Sequence, residues 1–221
     1  MNTLTQAVGR AAPWPSIVWK AAMAATGMMM AGWLTLHMFG NMLVFAGPEL
    51  YNAYGETLRA TGVLWPVRIT MFAALGVHVA AALATTRRAH AARPIRYGSA
   101  RKYNASTFAS RSMRATGAIL VVYLVYHVAT VYGFGHPSFR TDDAHHNLVT
   151  LLQSPWHAVA YVIVTGLVAL HLAHGLTSAW VSLGWAQGVT ETRLRRAMHG
   201  WAALLTLGFA CQTLAIFAHW V

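Results

Sequence analysis

Along this chain apolar positions do not alternate with polar ones. They run together in five long blocks, at roughly residues 20–46, 65–86, 113–134, 156–183 and 199–221. A helix that crosses the hydrocarbon core of a bilayer needs about 20 mostly apolar residues, and each block supplies that length. Glycine and proline occur in and beside the blocks, as membrane spans tolerate. A lipid-facing barrel would show segments of about ten residues with alternating character, and the chain has no such pattern. Only helices remain as a way to satisfy the backbone in lipid. The pattern therefore predicts an all-α integral membrane protein with five transmembrane helices, forming a single membrane domain over residues 1–221. The connections add no second domain. "RRAHAARPIRYGSARKYNASTFASRSMR" and "GHPSFRTDDAHHNLVTLLQSP" hold too few apolar residues for cores of their own.

Composition strengthens that reading. Hydrophobic residues make up 57% of the chain and charged ones 10%, with a mean hydropathy of +0.45, whereas soluble domains carry about 25% charged residues. The first block is too long for the apolar core of a signal peptide, which predicts a retained first span. The single cysteine, Cys211 in the last block, excludes a disulfide framework and a cysteine-based zinc site; it is expected as a small buried hydrophobe.

A net charge of +11 would raise nucleic acid as a partner of a soluble protein. Here the distribution excludes that partner. With five spans the connections alternate sides, and Arg10, Lys20, Arg87, Arg88, Arg93, Arg96, Arg101, Lys102, Arg111, Arg114, Arg193, Arg195 and Arg196 fall on one side, against Arg59, Arg68 and Arg140 on the other. That asymmetry predicts a cytoplasmic N-terminus and an outer C-terminus. Four of the five acids, Glu49, Glu56, Asp142 and Asp143, fall in the outer connections. The basic side would also attract anionic lipid or a cytoplasmic partner.

Twelve histidines are the chemical anomaly. His90, His136, His145, His146, His157, His199 and His219 lie in connections or near span ends, where water solvates an imidazole at little cost. His37, His78, His127 and the pair His171/His174 lie well inside spans one to four, where polar groups are rare and usually functional. An interhelical hydrogen bond could explain one of them, but not one in each of four helices.

Depth sorts them into two levels. His37 and His127 lie 11 and 10 residues before Pro48 and Pro137, which at about 1.5 Å per residue puts both roughly 15 Å from the outer end. His78 lies nine residues before Arg87, and His171 sixteen beyond Pro155, so both belong to the inner half. Two bis-histidine levels in a four-helix bundle are what two b-type haems require, and two axial imidazoles leave no position for oxygen, which suits electron transfer. Zinc would want three or four ligands at one depth, and a proton relay would include intramembrane acids; spans one to four have none in their middles. Small residues follow the histidines, as a flat macrocycle between helices requires: Gly40 and Asn41 after His37, Ala81 and Ala82 after His78, Gly175 and Ser178 after His171.

Four segments, "LHMFGNMLVF", "SRSMRATGAIL", "YHVATVYGF" and "HLAHGLTSAWVSLGW", in this order and topology, resemble the five-helix cytochrome b subunit of succinate dehydrogenase/fumarate reductase. The resemblance extends over nearly the whole chain and is most specific in the fourth span. It implies a multi-pass protein of the bacterial cytoplasmic (inner) membrane whose first four helices surround two haems b. Such a subunit anchors an iron–sulfur subunit on its cytoplasmic face and, through it, a flavoprotein; FAD and iron–sulfur clusters belong to those partners. Electrons from succinate would pass through the inner haem and the outer haem to a quinone, commonly menaquinone. Carried over, His78 and His171 are the axial ligands of the inner haem, and His37 and His127 those of the outer haem. Arg111 and Arg114 become candidates for the inner propionates, alongside their role as positive-inside anchors. His174, one turn nearer the cytoplasm than His171, is expected to reach a propionate or a water beside it. For a quinone near the outer haem the polar candidates are Glu49, Tyr51, Glu56 and Arg68; for one at the inner face they are Ser106 and Arg101. The rival readings are a dihaem cytochrome b serving a hydrogenase or formate dehydrogenase, and, in another class, a haem-free anchor or a histidine-lined transporter. No complete enzymatic activity is expected of the chain alone.

Overall fold

The computed structural model describes residues 15–92 and 108–221, with the side chains of 108–110 and 191 left aside. Arg10, Arg93, Arg96, Arg101, Lys102 and Ser106 lie outside the described residues. Among those described, the secondary structure is entirely helical. Helix α1 spans Ser16–Met42 and tightens into a 3-10 turn, Leu43–Ala46. Then follow α2 (Pro48–Ala60), α3 (Leu64–Ala91), α4 (Phe108–Val131), α5 (Ala144–Gln153), α6 (Pro155–Ser182) and α7 (Glu191–Phe217). Five helices among the described residues, α1, α3, α4, α6 and α7, are long and apolar enough to cross a membrane.

The ends follow from local sequence. Helices α2 and α6 open on proline at the first turn, where the missing N–H is not needed and φ is already helical. Helix α5 is capped by Asp143, whose carboxylate accepts the His146 backbone N–H at 2.9 Å. Gly47, at φ 97°, turns the chain between the 3-10 turn and α2, a conformation that a side chain would resist.

In the bundle α1 packs along α3, α4 along α6, and α1 also meets α6. Helix α7 lies against both α6 and α1 and supplies much of the buried surface. Ala31, Leu176, Leu194 and Met198 form one core cluster across α1, α6 and α7. Trp201 Nε1–H donates to Thr35 Oγ1 at 2.9 Å across the α1–α7 contact, and a Cβ at Gly208 would fall onto Met38. Outward-facing positions such as Leu36, Val122, Val125, Ile163 and Leu207 are strongly exposed, which in a bilayer means contact with lipid. Cys211 is one of them, contrary to its expected burial: lipid tails solvate a thiol as well as a protein core does, so apolar character does not distinguish the two faces of a span.

The connections are less plain than their sequences imply. Helices α2 and α5 meet at the end of the bundle opposite the arginine-rich one. Asn52 Nδ2 donates to Asp143 Oδ1 at 2.9 Å, and the His145 backbone N–H donates to Asn52 Oδ1 at 2.9 Å. Leu152 from α5 is buried with Val44 and Ile216. This layer closes the far end of the bundle and fixes where α2 presents Tyr51.

Candidate functional site

Each histidine inside the spans is placed by the rotation of its helix as well as its depth. The structure brings His37 of α1 to His127 of α4, with ring centroids 6.1 Å apart and planes inclined by 80°. It brings His78 of α3 to His171 of α6, at 6.4 Å and 60°. Two opposed imidazoles on one first-row metal ion, with bonds of about 2.0–2.1 Å and ring centroids roughly 1.1 Å behind each nitrogen, would be about 6.3 Å apart. Both pairs have that spacing. Among the described residues, no group of three or more His, Cys, Asp or Glu side chains converges as a metal site.

The polar partners of the rings show which nitrogen is available. His78 Nδ1–H donates to the Met23 carbonyl at 3.0 Å, with Thr26 Oγ1 also 3.3 Å away. A carbonyl can only accept, so the hydrogen of neutral His78 sits on Nδ1 and its lone pair on Nε2. Thr116 Oγ1 lies 3.3 Å from His171 Nδ1, and Tyr161 Oη lies 3.0 Å from His127 Nδ1. An imidazole held through one nitrogen by an oxygen presents the other as a ligand. His37 is held differently. It stacks on Trp33 with centroids 4.8 Å apart, and Asn41 Nδ2 lies 3.4 Å from each ring nitrogen while donating to the His37 carbonyl at 2.8 Å.

Around the His78/His171 level, Gly27 and Gly117 set the approach of neighbouring helices. A Cβ at Gly27 would stand 3.1 Å from His78 Cε1, and one at Gly117 3.4 Å from His171 Cε1. One turn from Met23 toward the basic end, Trp19 Nε1 is a buried donor without a partner. A ligand carboxylate there would supply the acceptor that it lacks. These observations together fit a planar metal macrocycle with acidic side groups.

The remaining predicted residues separate into distinct settings. His174 is half-buried and within electrostatic reach of His171 and of Arg195 on α7. Arg114 is exposed and lies 3.2 Å from His90 Nε2, while Arg111 is exposed near the start of α4. At the far end, Tyr51 Oη donates to Asn41 Oδ1 at 3.2 Å and its ring meets that of His145 edge-on at 5.9 Å. Burial, with Tyr54 nearby, pushes the Tyr51 phenol up to about 12, so it remains a donor. Glu49 and Glu56 are exposed on α2, away from this contact. Arg68 lies over the rings of Trp65 and Tyr132, at 5.5 and 5.8 Å. Of the four far-end candidates, the structure links only Tyr51 to the histidine level, through Asn41.

Two of the small residues have other tasks. A Cβ at Gly40 would stand 2.9 Å from Tyr54 Oη, so that glycine admits α2, and Gly175 faces Met113. Sequence reasoning missed Met23, Thr26, Gly27, Thr116, Gly117 and Tyr161. The signal available for four of them was the triplet Ala-Thr-Gly, which occurs at 25–27, 60–62 and 115–117, the first and last of these inside spans.

The five long apolar helices, with histidines paired between them, define a multi-pass helical membrane protein. The chain belongs to the succinate dehydrogenase/fumarate reductase transmembrane subunit family, whose match covers residues 92–210, more than half of the sequence. That range contains His127, His171 and His174, while His37 and His78 precede it. No individual curated protein and no solved structure matches the chain. Membership makes it a membrane subunit of an oxidoreductase complex, associated with that complex's other subunits.

Proposed function

We infer that the chain is the dihaem cytochrome b anchor of succinate:quinone oxidoreductase, with His78 and His171 as axial ligands of one haem b and His37 and His127 of the other. The observation that carries this reading is the pair of neighbouring imidazoles at each of two levels, with ring centroids 6.4 and 6.1 Å apart. Iron bound between two imidazoles supplies one-electron carriage with no open position for oxygen. The residues of this chain do the rest. Met23, Thr26, Thr116 and Tyr161 orient the rings, and Trp19, with Arg111, Arg114 and His174, lies toward the basic end where propionates would need donors.

The excess of arginine at that end supports a cytoplasmic position for it, and so for the docking face of the iron–sulfur subunit, with the flavoprotein bound beyond. Electrons from succinate then enter at the His78/His171 level and leave from the His37/His127 level toward quinone, menaquinone in this reading. Asn41 lies next to His37, and Tyr51 next to Asn41, as polar partners for that quinone's oxygens, with Glu49, Glu56 and Arg68 at the periphery. An outer quinone makes turnover sensitive to membrane potential, by about 2.3 kcal/mol per electron per 100 mV. The whole chain is one membrane domain, in a bacterial inner membrane.

A pyridine haemochrome assay on the purified complex tests the core of the proposal: two b haems per copy of this chain are expected, and none would refute it. The co-purifying subunits then discriminate among cytochromes. A flavoprotein with an iron–sulfur protein is the expected result, and a hydrogenase or formate dehydrogenase would reassign the chain.

A further inference from the structure

The Ala-Thr-Gly triplets on α1 and α4 meet the two histidines of one level in the same way. A threonine hydroxyl has a single proton. Thr26 Oγ1 donates its proton to the Ala22 carbonyl at 2.7 Å, and Thr116 Oγ1 donates to the Ser112 carbonyl at 3.1 Å. What each hydroxyl then offers its histidine, 3.3 Å away in both cases, is a lone pair. The Met23 carbonyl offers His78 the same polarity. The next residue of each triplet is glycine, and in both cases its missing Cβ faces Cε1, the ring atom between the two nitrogens. Hydroxyl and glycine together fix the height and the rotation of the ring.

The other level has no such device. Tyr161 Oη can give or take a proton from His127 Nδ1. Asn41 Nδ2 is equidistant from the two nitrogens of His37 and selects neither.

We propose that Thr26 and Thr116 are positioning residues that hold His78 and His171 as Nδ1–H tautomers, so that hydroxyl acceptors on two helices set the electron donation, and hence the potential, of the metal centre between those rings. The proposal rests on the dihaem reading. An acceptor on Nδ1–H raises the basicity of the ligating nitrogen, which favours the oxidised metal. Removing it therefore raises the midpoint potential.

The test compares Thr116→Val, Thr26→Val and Thr116→Ser with the parent, each as the assembled, detergent-purified complex. The readouts are haem content, redox titration and the low-spin ferric electron paramagnetic resonance signal. Thr116→Val is expected to keep two haems and to shift one component's potential upward with a change in its resonance, leaving the other component in place. Thr26→Val should move the same component less, because the Met23 carbonyl still holds His78. Thr116→Ser, which keeps the acceptor, should restore parental values. If Thr116→Val loses the haem, restoration by Thr116→Ser supports the proposal, and failure of both overturns it. Two haems with unchanged potentials in Thr116→Val would overturn it as well, as would movement of the component that His37→Ala removes. A parent complex without haem would instead overturn the dihaem reading on which it rests.

Discussion

The two histidine levels hold their rings at nearly the same separation, yet they do so with different chemistry. At the basic end, His78 and His171 are fixed by oxygen acceptors from backbone and threonine, with glycine backbone against their ring edges. At the far end, His37 and His127 sit among aromatic rings: Trp33 and Phe209 beside His37, Tyr123 and Tyr161 beside His127. The first level is specified by hydrogen-bond polarity and the second mainly by packing. A pair of sites built this way can bind the same cofactor and still differ in potential, because the partners of the ligands rather than the ligands themselves differ.

Removing the ligands breaks the comparison most completely. His78→Ala and His171→Ala should each take haem content from two to one per chain and delete the same spectral component, while His37→Ala and His127→Ala delete the other. The reading fails if His37→Ala and His78→Ala remove the same component from an assembled complex. A smaller effect separates the glycines. A Cβ at position 27 would meet His78 at 3.1 Å, whereas one at 117 would meet His171 at 3.4 Å, close to ordinary contact. Gly27→Ala should therefore lower the thermal stability of the purified complex by about 1–3 kcal/mol as overpacking does. Gly117→Ala should be neutral or gain up to about 0.5–1 kcal/mol from reduced backbone freedom. The reverse order in thermal melts would show that the two cushions are not as the structure has them.

Much of this architecture was legible. Five apolar blocks give five spans because lipid demands uninterrupted length, and counting residues to the nearest proline or arginine is enough to sort the histidines by depth. Rotation about each helix axis was not legible, since in lipid both faces of a span are apolar; Cys211 shows how that ambiguity misleads. Thr26 and Thr116 were hidden for a related reason. A threonine in a span usually bonds to its own helix at i−4, as both do here, and nothing local reveals the second contact across helices. The short helix α5 was read as a coreless connection because its four apolar residues, Leu148, Val149, Leu151 and Leu152, cannot form a core alone. Leu148, Val149 and Leu152 pack with Val44 and Ile216, residues distant in sequence.

His174 sharpens the comparison without removing either level. It stands within electrostatic reach of both His171 and Arg195, on the side of the His78/His171 pair where the propionates of the proposed haem would lie. His174→Ala should retain both haems and shift only the midpoint potential that Thr116→Val also moves. Loss of a haem would mean that His174, not His171, is the ligand.

The smallest expected effect lies farthest from the basic end, in the layer that closes the His37/His127 level. Asp143 caps α5 and accepts from Asn52, and those two hydrogen bonds, with Arg140 Nη1 at 3.8 Å, hold its carboxyl below the usual value of 3.8. A carboxylate whose folded pKa is depressed stabilises the fold above its unfolded pKa, and that contribution disappears as pH falls through the lower folded value. Asp143→Ala should cost about 1 kcal/mol at neutral pH through the lost cap. Asp143→Asn keeps an oxygen for the His146 N–H, so it should cost less while abolishing the acid-dependent part. Thermal melts of the three proteins measure this difference: at neutral pH the parent is most stable and Asp143→Ala least. Below about pH 4 the parent's advantage over Asp143→Asn should shrink. An advantage over Asp143→Asn that stays constant into acid would show that the carboxylate charge contributes nothing to closing this end of the bundle. The acid loss should also spare the His78/His171 level, since the Asp143 contacts reach α2 and α5 and none of the oxygen acceptors around those two rings.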